Sequence, residues 1–171
     1  IRTTIIDSKI DLKEEGQTLT AHNYLQDVME DECVSELNLL GIQNYYCTPW
    51  QIKKLVEHDC FCKRLRDVRG NTHLFEPTLR DSDLFSFDFS SVRQSDAPGR
   101  AVSIPNGLSG LEACELGHYA GLSDSILAYG LFGFNPTFDN SDQTSALMAQ
   151  VIWHIISGLT ISTIFNKTKR V

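Results

Sequence analysis

Short apolar runs rich in β-branched and aromatic residues alternate along this chain with helix-like segments. That alternation predicts an α/β protein, a three-layer α/β/α arrangement around a mainly parallel sheet. Asp7 and Asp88 stand where two of the predicted strands end, the place where open α/β sheets gather their ligands. A chain of 171 residues, 42% apolar and 22% charged, has enough material for one ordinary core. No repeat, low-complexity tract or linker divides it, so residues 1–171 read as a single domain.

The elements follow in order. Thr3 to Ile6 (TTII) is a β-rich run closing on Asp7. Gly16 and the Thr18/Thr20 pair read as loop, and a helix is expected from about His22 to Glu30. Leu37 to Ile42 (LNLLGI) reads as a second, buried strand. Thr48 before Pro49 gives a cap followed by proline at the first helical position, opening a helix through about His58. Cys60 to Leu65 suits a third, short strand and Leu84 to Phe89 a fourth. From Ser90 to Ser109 the pattern disappears among Pro98, Gly99, Pro105, Asn106 and Gly107, and a loop that long either has a job or is mobile. Ser109 can cap a helix to about Tyr119, Ser125 to Phe134 is strand-like, and Asp142 to Gly158 is a helix that Gly158 is expected to end.

The balance of charge narrows the function classes. A net charge of −7, with no Lys/Arg cluster standing against it, argues against nucleic acid as a partner. Cys33, Cys47, Cys60, Cys62 and Cys114 are odd in number, and the single residue between Cys60 and Cys62 is not a zinc-knuckle gap. Reduced, mostly buried thiols in a cytoplasmic protein are expected. The apolar stretch Val151 to Phe165 is broken by His154, Ser157, Gly158, Thr160, Ser162 and Thr163. It falls short of the roughly 20 residues a membrane span needs, so no membrane is expected. No signal peptide is visible, and the chain enters a strand-like run at Ile1, from which further sequence upstream is expected.

Three stretches carry the chemistry: DSKID (Asp7 to Asp11), SFDFSSVRQSDAPG (Ser86 to Gly99) and GFNPTFDNSDQT (Gly133 to Thr144). Each follows a predicted strand, so all three can meet at one edge of the sheet. A carboxylate two residues after Asp88 would point to the same side and hold a cation with it, but Ser90 stands there. In this order and spacing the three stretches resemble the ureohydrolase family of arginase, agmatinase and formimidoylglutamase. Its patterns are DAHxD, S-F/I-D-x-D-x-x-D-P-x-x-A-P-G, and E-V-N-P with an Asp and a Thr before the last helix. The resemblance implies an arginase-like fold in which this chain begins near the midpoint, the front half and a metal-binding histidine lying upstream.

By the same resemblance, two manganese ions bridged by hydroxide would attack an amidine or guanidinium carbon. Asp7 and Asp88 match the two bridging aspartates and Asp11 a ligand of the first metal, while His22 aligns with a proton-shuttling histidine, the one catalytic residue implied. The second metal's private ligands, His and Asp in the family, are Lys9 and Ser90 here. Arg93 and Gln94 replace the third Asp and the Pro of the SFD pattern, and Gly133 replaces the glutamate that anchors the substrate's cation. An ammonium has no lone pair, so Lys9 is no ligand. Its charge is expected to occupy the cation's place beside Asp7 and Asp88, worth roughly 4 kcal/mol per close pair before desolvation is subtracted.

The expectation is therefore an arginase-family protein with a degraded binuclear manganese site, at most one weak manganese position, and a structural, oligomeric or ligand-binding role as a pseudoenzyme. A homo-oligomer and a small amidine or guanidinium ligand are the implied partners. The rival is a working hydrolase of linear amidines using one metal at Asp7, Asp11 and Asp88. Blander roles stand beside these: helix caps or solvated carboxylates for the aspartates, a surface site for His22, and a packed or edge position for His154. Asp139 and Asp142 suit turn and cap chemistry, and Trp50 and Trp153 core or interface.

Overall fold

In the computed structural model, which describes residues 1–12, 18–102 and 104–168, five strands pair in parallel in the order β3-β2-β1-β4-β5. They are β1 (Arg2–Ile6), β2 (Glu36–Ile42), β3 (Phe61–Arg64), β4 (Leu84–Asp88) and β5 (Ala128–Phe132). β1 is central, and Thr3 to Ile6 are all buried, as expected of a strand covered on both faces. Ile6, Leu40, Phe85 and Phe87 point to one face, under α4 (Glu76–Arg80), α5 (Gly110–Gly121) and α6 (Gln143–Thr168). Ile5, Leu39 and Ile42 point to the other, against Leu25 of α1 (Leu25–Glu30) and Leu55 of α2 (Pro49–Glu57). Three layers result, as the alternation predicted.

Capping chemistry sets two helix starts. Thr48 Oγ1 accepts from Gln51 N and the Gln51 side chain accepts from Thr48 N, and Ser109 and Glu112 repeat the arrangement at α5. α1 begins at Leu25 rather than His22, because Asn23 bonds back to Thr18 and Thr20 and holds a turn there. Gly16 lies outside the described residues. Between β3 and β4 the chain forms α3 (Leu65–Val68), a 3₁₀ turn at Thr72–Phe75, and α4, none of which the sequence reading anticipated. The Ser90 to Ser109 segment is built rather than slack. Val92, Ala97, Ile104 and Leu108 are buried, and Arg93 N and Leu108 N bond to Leu108 O and Ser91 O.

Gly158 does not end the last helix. α6 continues to Thr168, and Gly158 instead permits a close crossing: a Cβ there would lie 2.4 Å from His118 O and 2.8 Å from Gly121 C. Residues Asn140–Ile164 are long and apolar enough to cross a membrane by length and composition. Leu147, Val151 and Ile155 nonetheless lie in the core cluster beneath α5. The cysteines are all free, but only Cys114 is buried and Cys33 is exposed, so the expected mostly buried set is half-buried instead. Trp153 is 64% exposed and His154 sits at the edge of α6 with its ring against His118.

Candidate functional site

Strand order reverses between β1 and β4, and a crevice opens at such a point outside the carboxyl ends of the strands. Asp7 and Ser8 follow β1 there, and Asp88 ends β4 directly beside them. Ser90 ties the two carboxylates together. Its hydroxyl donates to Asp7 Oδ1 at 3.2 Å, its backbone N–H donates to Asp88 Oδ1 at 2.6 Å, and Ser8 Oγ lies 3.2 Å from Ser90 Oγ. A bond from the Ser90 amide makes Asp88 a cap for the turn Phe89–Ser91, the bland role considered for it, as well as a member of the cluster.

Asp7 is only 4% exposed. Burial first, then the charges of Asp88 and Asp11, push its carboxyl up to about 8, and backbone hydrogen bonds from Lys9 and Ser8 offset this only in part. Burial also raises Asp11, although His22 pulls it back; His22 is exposed but close enough to act on it. Tyr24, which bridges to Leu12, was not singled out in the sequence. Its phenol is pushed up by burial and by the fields of all three aspartates, which places it on the crevice wall.

Lys9 departs from expectation. Its backbone N–H donates to Asp7 Oδ1 at 3.1 Å, but its ammonium lies over the Tyr46 ring, 5.4 Å from the centroid. Among the described residues Lys9 forms no ion pair with Asp7, Asp11 or Asp88. The ammonium still lies near enough to Asp11 for its charge to pull that carboxyl down, without pairing with it. The buried cation near Asp88 is Arg100, 6% exposed, whose guanidinium donates to Phe89 O at 2.7 Å and to Val92 O. Burial lowers its pKa while Asp88 pushes back. Arg93 pairs with Asp96 at 2.8 Å, and Asp96 accepts from Gly110 N at the start of α5. Gly133 sits at φ +77°, and a Cβ there would meet Asp88 Oδ1 at 2.2 Å. Asp88 fills the room a glutamate would need.

The carboxylate oxygens suit a hard divalent ion, and one ion would relieve the mutual repulsion of the three aspartates. The second position fits poorly, since a serine hydroxyl and a lysine replace its ligands. Among the described residues no three His, Cys, Asp or Glu side chains are arranged to hold a metal. The aspartates feel one another's field without converging.

The third stretch closes the site from the far side. Asp139 accepts from Thr144 N, Ser145 N and Ser145 Oγ at the start of α6, and Thr144 Oγ1 accepts from Gly99 N at 2.7 Å. Burial opposes ionisation of Asp139, but the bonds from Ser145 and Thr144 outweigh it and hold the carboxyl at about 2. All three sequence stretches thus meet at one edge, and residues 5–158 match the family model described as the Arginase family. The chain belongs to the arginase family.

Solved structures agree on the fold of this arginase-family chain. Formiminoglutamase of Trypanosoma cruzi, solved with manganese, superposes with a TM-score of 0.83 at 20% identity, over 93% of this chain and 56% of its own. Formimidoylglutamase of Bacillus subtilis gives 0.83 at 21% identity, over 94% and 54%. Arginase of Bacillus caldovelox gives 0.75 at 16% identity, over 90% and 60%. This chain therefore spans little more than half the length of these proteins. No curated protein matches its sequence.

Proposed function

We propose that this chain is a non-catalytic member of the arginase family, its binuclear manganese site dismantled and its crevice and surfaces kept for ligand binding and self-association. The observation that carries this reading is Ser90, which bonds to both Asp7 and Asp88 where a second metal's carboxylate would stand. Gly133 supports it, because its backbone conformation and the Asp88 carboxylate leave no space for an anchor of a substrate cation. Amidine hydrolysis needs an activated hydroxide and such an anchor, and each lost transition-state partner costs about 10²–10³ in rate.

A second reading, a hydrolase of linear amidines working through one ion, is favoured by the only partly compensated cluster of Asp7, Asp11 and Asp88. A bound ion would supply water of lowered pKa. His22, near Asp11, is then this chain's group for carrying the proton away.

The deciding experiment loads full-length protein with manganese, counts bound metal, and assays urea, formamide or ammonia release from arginine, agmatine and formiminoglutamate. At most one weakly held equivalent and no manganese-dependent release are expected. Turnover at ordinary enzymatic rates, abolished by Asp88→Asn, installs the second reading, and two tightly held ions per chain overturn the first.

A further inference from the structure

The same sheet edge carries a second feature on the side of β2 and β3. Ile42 ends β2, Arg64 ends β3, and α3 follows at once with Arg66 before Arg69. With Asn44 and Asn106 they wall a cleft of about 310 Å³, and among the described residues that line it none is an aspartate or glutamate. The chain as a whole has 22 acidic and 15 basic side chains, whereas here three arginines outnumber the carboxylates beside them, Asp67 against Arg66 and Glu112 near Arg69. Among the described residues Arg66 pairs only with its neighbour Asp67, at 3.4 Å on an exposed surface, a contact of little strength. Arg64 and Arg69 form no ion pair among the described residues. The run Lys63 to Arg69 is a local basic cluster within the acidic chain, and it supplies all three.

The cleft wall is fixed by bonds that have nothing to do with the arginines. Gln43 is buried, its N–H donates to Ser8 O at 2.9 Å, and its carboxamide donates to Asn106 O at 3.1 Å. The Tyr45 hydroxyl donates to the other end of the same carboxamide. Leu65 is buried beneath the first turn of α3 and anchors the backbone from which Arg64 and Arg66 spring. Guanidinium groups on a fixed backbone are suited to planar, two-pronged recognition of oxygen anions.

We propose that this cleft is a binding site for a small oxyanion, the carboxylate or phosphate of a small-molecule ligand, held by Arg64 and Arg69 with Arg66 and the two asparagine amides around it. The net charge of −7 repels long polyanions and leaves a small ligand as the occupant. The site does not depend on metal at Asp7 and Asp88.

Calorimetric titration of the protein with inorganic phosphate and with glutarate tests it, and whichever binds identifies the anion class. Saturable binding of at least one, weakened by added salt, is expected. Arg64→Ala/Arg69→Ala should weaken it at least tenfold, and Asn106→Asp, on a separate loop, should weaken it by placing a carboxylate in the cleft. No saturable binding of either probe, or binding that survives both changes, overturns the proposal.

Discussion

Asp7 concentrates the electrostatic cost of this fold in one side chain. Its carboxyl ionises near pH 4 in an unfolded chain and only near 8 in the folded one, because burial and the neighbouring aspartates oppose the charge. Between those values the native state holds the extra proton, so metal-free stability falls as pH rises from about 4 to about 8. Urea denaturation in the presence of chelator at pH 5 and pH 8 should show this loss. Asp7→Asn should flatten that part of the profile, and an unchanged slope would show that Asp7 ionises normally. The sequence exposed Asp7, Asp11 and Asp88 through their places after strands, and it exposed the substitutions at Ser90 and Gly133. It did not reveal how Lys9 turns toward Tyr46, or that Arg100 is buried near Asp88, because those follow from backbone direction and long-range packing.

Among the elements, α5 and α6 make the closest crossing. A Cβ on Gly121 would lie 2.2 Å from Ile155 O, and one on Gly117 would lie 3.1 Å from a Val151 methyl carbon. Backbone cannot swing aside as a flexible side chain can, so Gly121→Ala should force the helices apart. Overpacking of this kind costs about 1–3 kcal/mol, offset in part by alanine's better helix propensity. A thermal melt checks it: a midpoint at or above the parent's would mean that the crossing is looser. The strands β1, β2 and β4 are legible as short runs rich in β-branched, apolar and aromatic residues, and the starts of α2 and α5 as capping residues. Gly158 is ambiguous in the sequence because glycine serves equally as a helix stop and as a crossing point, and only the partner helix distinguishes them. α3 and α4 escaped notice because helices of four and five residues are too short to show a period.

At the scale of the whole molecule, among the described residues the outer edge of β5 and one face of α6 are exposed. β5 pairs only with β4, and Phe132 at its end is 54% exposed. On α6, Ile152, Trp153 and Ile156 are exposed while Leu147, Val151 and Ile155 face the core. Moving α6 into a bilayer would strip that inner face from α5, so its length and apolarity are better satisfied by protein. Contiguous apolar surface of this kind marks an interaction site. A largely apolar patch on one helix can pack on its own copy across a two-fold axis, which suits the proposed homo-oligomer. Sedimentation velocity at micromolar concentration should therefore show a dimer or larger species. Ile152→Glu/Ile156→Glu should convert it to monomer while the circular dichroism of the fold is retained, because neither side chain belongs to the core. A parent that sediments as a monomer throughout would remove self-association from the proposed function and leave the crevice and the arginine cleft as its only binding surfaces.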